Sequence, residues 1–279
     1  MEQKRYIGPI SLTFSGEKGL VSQFEPDDFC EPYHSDYINY TAELSWTADV
    51  QPKGDFLAEN IGVRIYQQEG LEYRYYYSPL DLTKQFFGYS FQTGRMITVR
   101  FQNGFYRYHY YNYVGLEHLL LGHQAVPLHS ASIIHRDQAI LFSAPSGTGK
   151  STQADLWKKY RDAAPFNGDR NLLWKRNGEW VVTGFPCHGT SPDCVNTCAP
   201  LRSIVILRQA KNDQIRKLTP MEKTIALISE MTINRWNPAD QDLAYALAAD
   251  LVANMDIIGL DCTMEQTAVE TLQVYLEKN

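Results

Sequence analysis

The chain has 279 residues, of which 44% are hydrophobic and 21% charged. That balance excludes wholesale disorder, and the length suffices to bury a core without disulfides or a structural metal. A net charge of -6 argues against nucleic acid as the main partner and against a polybasic membrane anchor.

The start, Met1 to Tyr6 running into Gly8-Pro9, lacks the apolar stretch of a signal peptide, and no later run approaches the roughly 18 apolar residues that span a bilayer. The five cysteines are an odd number, and the simplest reading is reduced thiols in a cytoplasmic protein without a membrane partner. At about 150 residues per domain, two domains are expected. Tyrosine use points the same way: 15 of 18 tyrosines fall between Tyr6 and Tyr113. The expected division is a smaller β-rich, tyrosine-rich domain over 1–122 and a second domain over 123–279.

In chain order, Ser11 to Phe14 and Ile38 to Trp46 read as strands. Ile61 to Tyr66 and Leu71 to Tyr77 follow, separated by the turn signal Gln67-Gln68-Glu69-Gly70, and Met96 to Phe101 alternates in the same way. The tyrosines suit either a peptide-binding surface or, more ordinarily, strand faces packed on a sheet. Tyr110 to His123 has helical spacing and ends near Gly122. Beyond it, strand and helix signals alternate. Ala131 to Ile134 and Ala139 to Ser143 read as strands joined by a turn, and a helix is expected from Lys150 to about Tyr160. Asn171 to Arg176 and Glu179 to Thr183 flank Asn177-Gly178, a strong hairpin signal. Ser203 to Leu207 and Ile257 to Leu260 read as strands. Met221 to Met231, Asp240 to Ala253 and Glu265 to Leu276 read as helices.

The most informative segment is Ala144-Pro145-Ser146-Gly147-Thr148-Gly149-Lys150-Ser151. It fits the Walker A pattern with alanine in place of the first glycine, and it sits between an apolar strand and a helix, as that motif requires. Gly147 and Gly149 let backbone N–H groups turn inward around phosphate oxygens. The helix that follows offers its N-terminal N–H groups and positive dipole end to the same anion. Ser146, Thr148 and Thr152 complete the expected cradle. Lys150 can reach the β- and γ-phosphates of ATP, and the Ser151 hydroxyl can hold a Mg²⁺ that bridges them.

Asp169 follows Lys150 by 19 residues, room for one helix and one short strand. In phosphate-loop proteins a second strand commonly ends in such an aspartate, which reaches the metal directly or through water. An aspartate capping a surface turn would look the same. A hairpin at Asn177-Gly178 is unlike most phosphate-loop ATPases and GTPases, and it points to kinases with mixed sheets.

Leu128-His129-Ser130, the loop Ser146 to Ser151, and Gly168-Asp169-Arg170 together resemble the catalytic domain of bacterial HPr kinase/phosphorylase, and more distantly phosphoenolpyruvate carboxykinase. The resemblance covers roughly residues 125–279 and leans toward a branch whose members phosphorylate a serine in a peptide. It implies an α/β fold, a phosphate-loop domain with a mixed sheet. It also implies that Lys150 and Ser151 hold phosphate and Mg²⁺. The family has an Asp-Asp pair where this chain has Gly168-Asp169, so only Asp169 remains to serve as catalytic base, metal ligand or both. His129 matches a family histidine beside the reacting phosphate, where it orients Asp169 or stabilises charge. Residues 1–120 carry no motif of the family's N-terminal domain.

Arg170 braces Asp169, contacts phosphate or forms a surface ion pair. His188 and Thr190, in the shaped stretch from Gly184 to Thr190, are candidates to meet phosphate or the acceptor. Cys187, His188, Cys194 and Cys198 cluster, but without the paired C-x2-C spacing of a zinc ribbon, so buried or surface thiols are expected. The expected activity is ATP-dependent phosphoryl transfer to a hydroxyl, of a serine in a peptide or protein or of a small alcohol. The alternatives are a nucleotide-binding sensor or scaffold without transfer, and a carboxykinase-like enzyme. Assembly into a homo-oligomer is left open.

Overall fold

The computed structural model describes residues 1–23, 29–102, 111–187 and 193–278. They form an α/β chain that divides into two units, Met1–Leu119 and Leu120–Asn279, each described by itself below.

Among the described residues the first unit holds eight strands: β1 (Glu2–Ile7), β2 (Ile10–Gly16), β3 (Ile38–Trp46), β4 (Asp55–Asn60), β5 (Val63–Gln68), β6 (Leu71–Tyr77), β7 (Phe86–Thr93) and β8 (Met96–Phe101), with a short helix α1 (Lys18–Val21) after β2. They make one mixed sheet in the order β1-β2-β3-β8-β7-β6-β5-β4, in which β2–β3 and β3–β8 run parallel. Alternation sorts the tyrosines. Tyr66, Tyr73, Tyr75, Tyr89 and Phe91 pair across strands on one face, with Tyr73 and Phe91 rings 4.8 Å apart. Tyr76 lies on the other, its hydroxyl 2.6 Å from that of Ser90 and its ring against Tyr113. Burial pushes the Tyr75 phenol up to about 12.

The expected helix over 110–123 is broken. Residue 110 lies outside the described residues, Asn112–Val114 form a 3-10 turn, and α2 spans only Leu116–Leu121. The break falls at Gly115, which is left-handed at φ 59° and packs against the Arg74 guanidinium where a Cβ would stand. Strands β1, β4 and β7 were not foreseen, and Ile61 lies in the turn before β5, not in the strand.

The second unit contains β9 (Ala125–His135), β10 (Gln138–Ser143), α3 (Lys150–Arg161), β11 (Ala164–Asn167), β12 (Arg170–Arg176), β13 (Glu179–Gly184), β14 (Cys198–Gln209), β15 (Gln214–Arg216), α4 (Pro220–Glu230), α5 (Pro238–Asn254), β16 (Asp256–Cys262) and α6 (Gln266–Lys278). Its sheet is also mixed: β14 runs parallel to β10 and β16, and the other pairings are antiparallel. The hairpin β12–β13 turns on Asn177 and Gly178 at φ 53° and 85°, as a two-residue turn of this sequence requires. Strands β9 and β14 are longer than their apolar runs suggest because each serves two sheet regions. One half of each pairs with the hairpin and the other half with β10.

Strands β10, β14 and β16 are apolar on both faces, as parallel strands between helices must be. Leu141, Ile204 and Ile257 pack toward α4 and α5 with Leu227, Leu247 and Leu251. Ile140, Phe142, Val205 and Leu260 pack toward α3 and α6 with Trp157, Val269 and Leu272. This sandwich fixes where β10 ends and α3 begins.

Candidate functional site

Strand β10 ends at Ser143, held between Ser130 of β9 and Ile206 of β14. The chain then turns through residues 144–149 into α3. Gly147 and Gly149 stand at φ 80° and 111°. A Cβ on Gly147 would meet nothing within 4 Å, so these glycines serve the backbone path and not close packing. Pro145, Ser146 and Gly147 are exposed at the loop tip, while Thr148 and Thr152 are half-buried. Gln209 at the end of β14 fixes the loop by donating from Nε2 to the carbonyls of Gly147 and Thr148, at 3.2 and 3.3 Å.

The start of α3 differs from the starts of α4 and α5. Thr219 and Glu222 close α4 with a reciprocal capping box, and the Asn237 side chain caps α5. Among the described residues no side chain caps α3, whose N-cap is Gly149. Its first-turn N–H groups, which no helix can satisfy internally, face outward with the positive end of the dipole. Lys150 is 9% exposed and donates from Nζ to the Ala144 carbonyl at 2.9 Å. Burial pushes its ammonium below the usual lysine range, while the charges of Glu230 and Asp169 pull the other way.

Asp169 lies in the turn between β11 and β12. A buried polar network fixes that turn. Ser132 donates to Asn171 Oδ1 at 2.6 Å, and Asn167 Nδ2 donates to the same atom at 3.1 Å. Asn171 Nδ2 donates to the Ser130 carbonyl at 2.8 Å, and the Ser130 N–H donates to the Asp169 carbonyl at 3.0 Å. All four network side chains are buried, so each polar atom must be paired inside the protein.

The Asp169 carboxylate therefore points at a defined place. Its Oδ1 stands 3.4 Å from His129 Nε2, and its Oδ2 stands 3.2 Å from Arg170 Nη1. Arg170 Nη1 also donates to the Cys187 carbonyl at 2.8 Å. His129 and Arg170 are register partners on β9 and β12, which explains their adjacency. The other ring nitrogen of His129, Nδ1, lies 2.9 Å from Glu230 Oε2. Glu230 was not foreseen. It is the last residue of α4, whose end is tied to β9 by a Leu128–Met231 bridge. An acidic residue there opposes the helix dipole, which is the one local hint of a special role.

A cavity of about 400 Å³ opens beside this cluster, lined by Ser151 and Asp155 of α3 and by Asp169 and Asp193. Ser151 and Asp169 thus share one space. Among the described residues, no three His, Cys, Asp or Glu side chains converge to cage a metal unaided. Cys187, Cys194 and Cys198 form no disulfide. His188 and Thr190 lie outside the described residues.

No protein-family model matches the chain, and no curated protein does. Among solved structures, the chain is similar to the Hpr(Ser) kinase/phosphatase from Coxiella burnetii at 12% identity and a TM-score of 0.32, over 55% of this chain and 93% of that one. A likeness this distant assigns no residue a role.

Proposed function

We propose that the chain is an ATP-dependent phosphotransferase whose acceptor is a hydroxyl. The observation that carries this reading is the open start of α3, where Gly147 and Gly149 free the backbone and the buried Lys150 ammonium lies on the Ala144 carbonyl within the field of Asp169 and Glu230. Exposed N–H groups, a dipole and a buried lysine form a site for a polyphosphate. The neighbouring carboxylate and imidazole add a means of moving a proton.

The donor set fits Mg²⁺. Ser151 and Asp169 supply hard oxygen ligands on one cavity, and Mg²⁺ held together with substrate phosphates needs only one or two protein side chains. When bound, the ion neutralises phosphate charge. The residues do the rest by positioning. The α3 N-terminus and Lys150 hold the β- and γ-phosphates. The acceptor oxygen forms its bond to the γ-phosphorus as the bond to the bridging oxygen breaks, and that electron pair leaves with ADP. The acceptor proton passes to the Asp169–His129 pair. A serine of a peptide or protein is the favoured acceptor and a small alcohol the second; this preference rests on the motif resemblance.

The test is to incubate the protein with Mg²⁺ and γ-labelled ATP against pools of serine peptides and small alcohols. Label in an acceptor supports the reading. Tight ATP binding without transfer to any acceptor favours a sensor or scaffold and overturns it.

A further inference from the structure

A second cavity, of about 150 Å³, is bounded by the β9–β10 turn, α3, β14 and α6. It shares no lining residue with the cavity at Ser151 and Asp169. On α3 it is lined by Trp157, seven residues after Lys150 and so about 10 Å further along the helix axis.

The charge of this lining is positive. Arg136 and Arg202 line the cavity, and a third guanidinium, Arg161, is held on the lining residue Gln273. Glu277 is the one lining carboxylate among the described residues, and it accepts from Arg136 at 3.1 Å and from Gln273 at 2.9 Å. Set against one guanidinium, it leaves two positive charges. The C-terminal carbonyls of α3 and α6 disfavour an anion, but Arg161 covers that of Tyr160 and Arg202 that of Leu276. The field shows on His135: burial holds its ring below the usual histidine range, and the charges of Arg136 and Arg161 push the same way against Glu277.

Trp157 supplies an independent observation. Its side chain is wholly buried and lines the cavity, yet its Nε1–H has no hydrogen-bond partner among the described residues. A buried indole N–H is ordinarily paired. Trp180 shows one way this protein does so. Its Nε1 donates to Asp250 Oδ2 at 2.7 Å, and the Lys175 ammonium stands on the same oxygen at 2.7 Å. At Trp157 the indole and the cations recur, and no carboxylate among the described residues accepts from the indole. We propose that this cavity is a binding site for a phosphate-sized oxyanion, which accepts from Trp157 Nε1 and is neutralised by Arg136 and Arg202. A phosphate dianion carries the charge that the lining leaves over, and charge-assisted bonds from guanidinium groups are strong. The site is separate from the α3 N-terminus and does not rest on the phosphotransferase reading.

The test is a titration of the full chain with inorganic phosphate, followed by the indole N–H signals of its five tryptophans in proton–nitrogen NMR spectra. Trp157→Phe identifies the Trp157 signal, and sequential assignment of α3 does so where that variant fails to fold. The Trp157 signal is expected to move downfield and saturate, with a dissociation constant on the order of 1 mM. Lys150→Ala should leave this affinity within about twofold, because the α3 N-terminus is a separate site. Arg136→Gln should weaken binding roughly fivefold and Glu277→Gln tighten it about twofold, the scale of partly exposed charges. Glycerol phosphate in place of inorganic phosphate separates two sources of the ligand: tighter binding assigns the site to a phosphomonoester, and weaker binding assigns it to the free ion. A Trp157 signal that does not move up to ~20 mM phosphate overturns the proposal. So does an equal shift with chloride at matched ionic strength, and so does saturable binding of the same affinity in wild type, Arg136→Gln and Glu277→Gln.

Discussion

Lys150 sits almost wholly out of water with its ammonium on the Ala144 carbonyl. Burial disfavours its charge, so a phosphate oxygen arriving at the α3 N-terminus supplies a stronger partner than the carbonyl it now holds. Lys150→Ala is therefore expected to weaken Mg·ATP binding at least roughly tenfold, about 1.4 kcal/mol, read by calorimetric titration. Asn171 is the hub of the network beneath Asp169. Asn171→Ala leaves buried partners at Ser130, Ser132 and Asn167 unsatisfied and should cost about 1–3 kcal/mol in a denaturant melt, with a fall in transfer rate as the Asp169 turn loosens. Lys150, Ser151 and Asp169 stand in a local sequence pattern, and for that reason they could be named from the sequence. Glu230 could not, because its contact with His129 spans 101 residues. Its only local trace is an acid at the wrong end of a helix.

Strand and helix types were legible where a local rule dominates. Asn177-Gly178 dictates its hairpin, and the run from Ile38 to Trp46 forms β3 over that same span. Strands β4 and β7 escaped because Asp55–Asn60 is largely exposed and Phe86–Thr93 is interrupted by Gly88, so neither alternates cleanly. The 110–123 helix failed at Gly115, whose packing against Arg74 is a tertiary fact. In the second unit, α3 is anchored by Trp157, which is fully buried. Trp157→Ala should cost about 3–5 kcal/mol by chemical denaturation and should also weaken Mg·ATP binding, since the same helix presents the phosphate site. Strand β16 carries a different anchor. Asp261, 2% exposed, accepts from Arg208, Gln214 and Arg216 at 2.6–2.8 Å. These bonds, Arg208 foremost, hold its carboxyl far below the usual carboxylate range. A carboxylate depressed in the folded state stabilises fully above its unfolded value and loses that contribution as pH falls. The gap in melting temperature between wild type and Asp261→Asn should be constant at neutral pH and narrow below about pH 4.

At the scale of the whole chain, each unit has its own sheet and its own core, and every residue assigned to phosphate, metal or proton lies in Leu120–Asn279. Residues 120–279 produced alone are expected to bind Mg·ATP with the affinity of the full chain; loss of binding in a folded fragment would show that the first unit completes the site. The tyrosine asymmetry suggests two differently built halves, and in the first unit the aromatic residues of β5, β6 and β7 pair across the strands. The most direct test of the central claim is ADP formation by wild type, Lys150→Ala and Asp169→Ala, with Mg²⁺ and with and without pooled hydroxyl acceptors. The account predicts turnover that requires an acceptor in wild type and is lost in both variants. Acceptor-dependent turnover that survives in Asp169→Ala, or its absence from wild type with every acceptor, would contradict it.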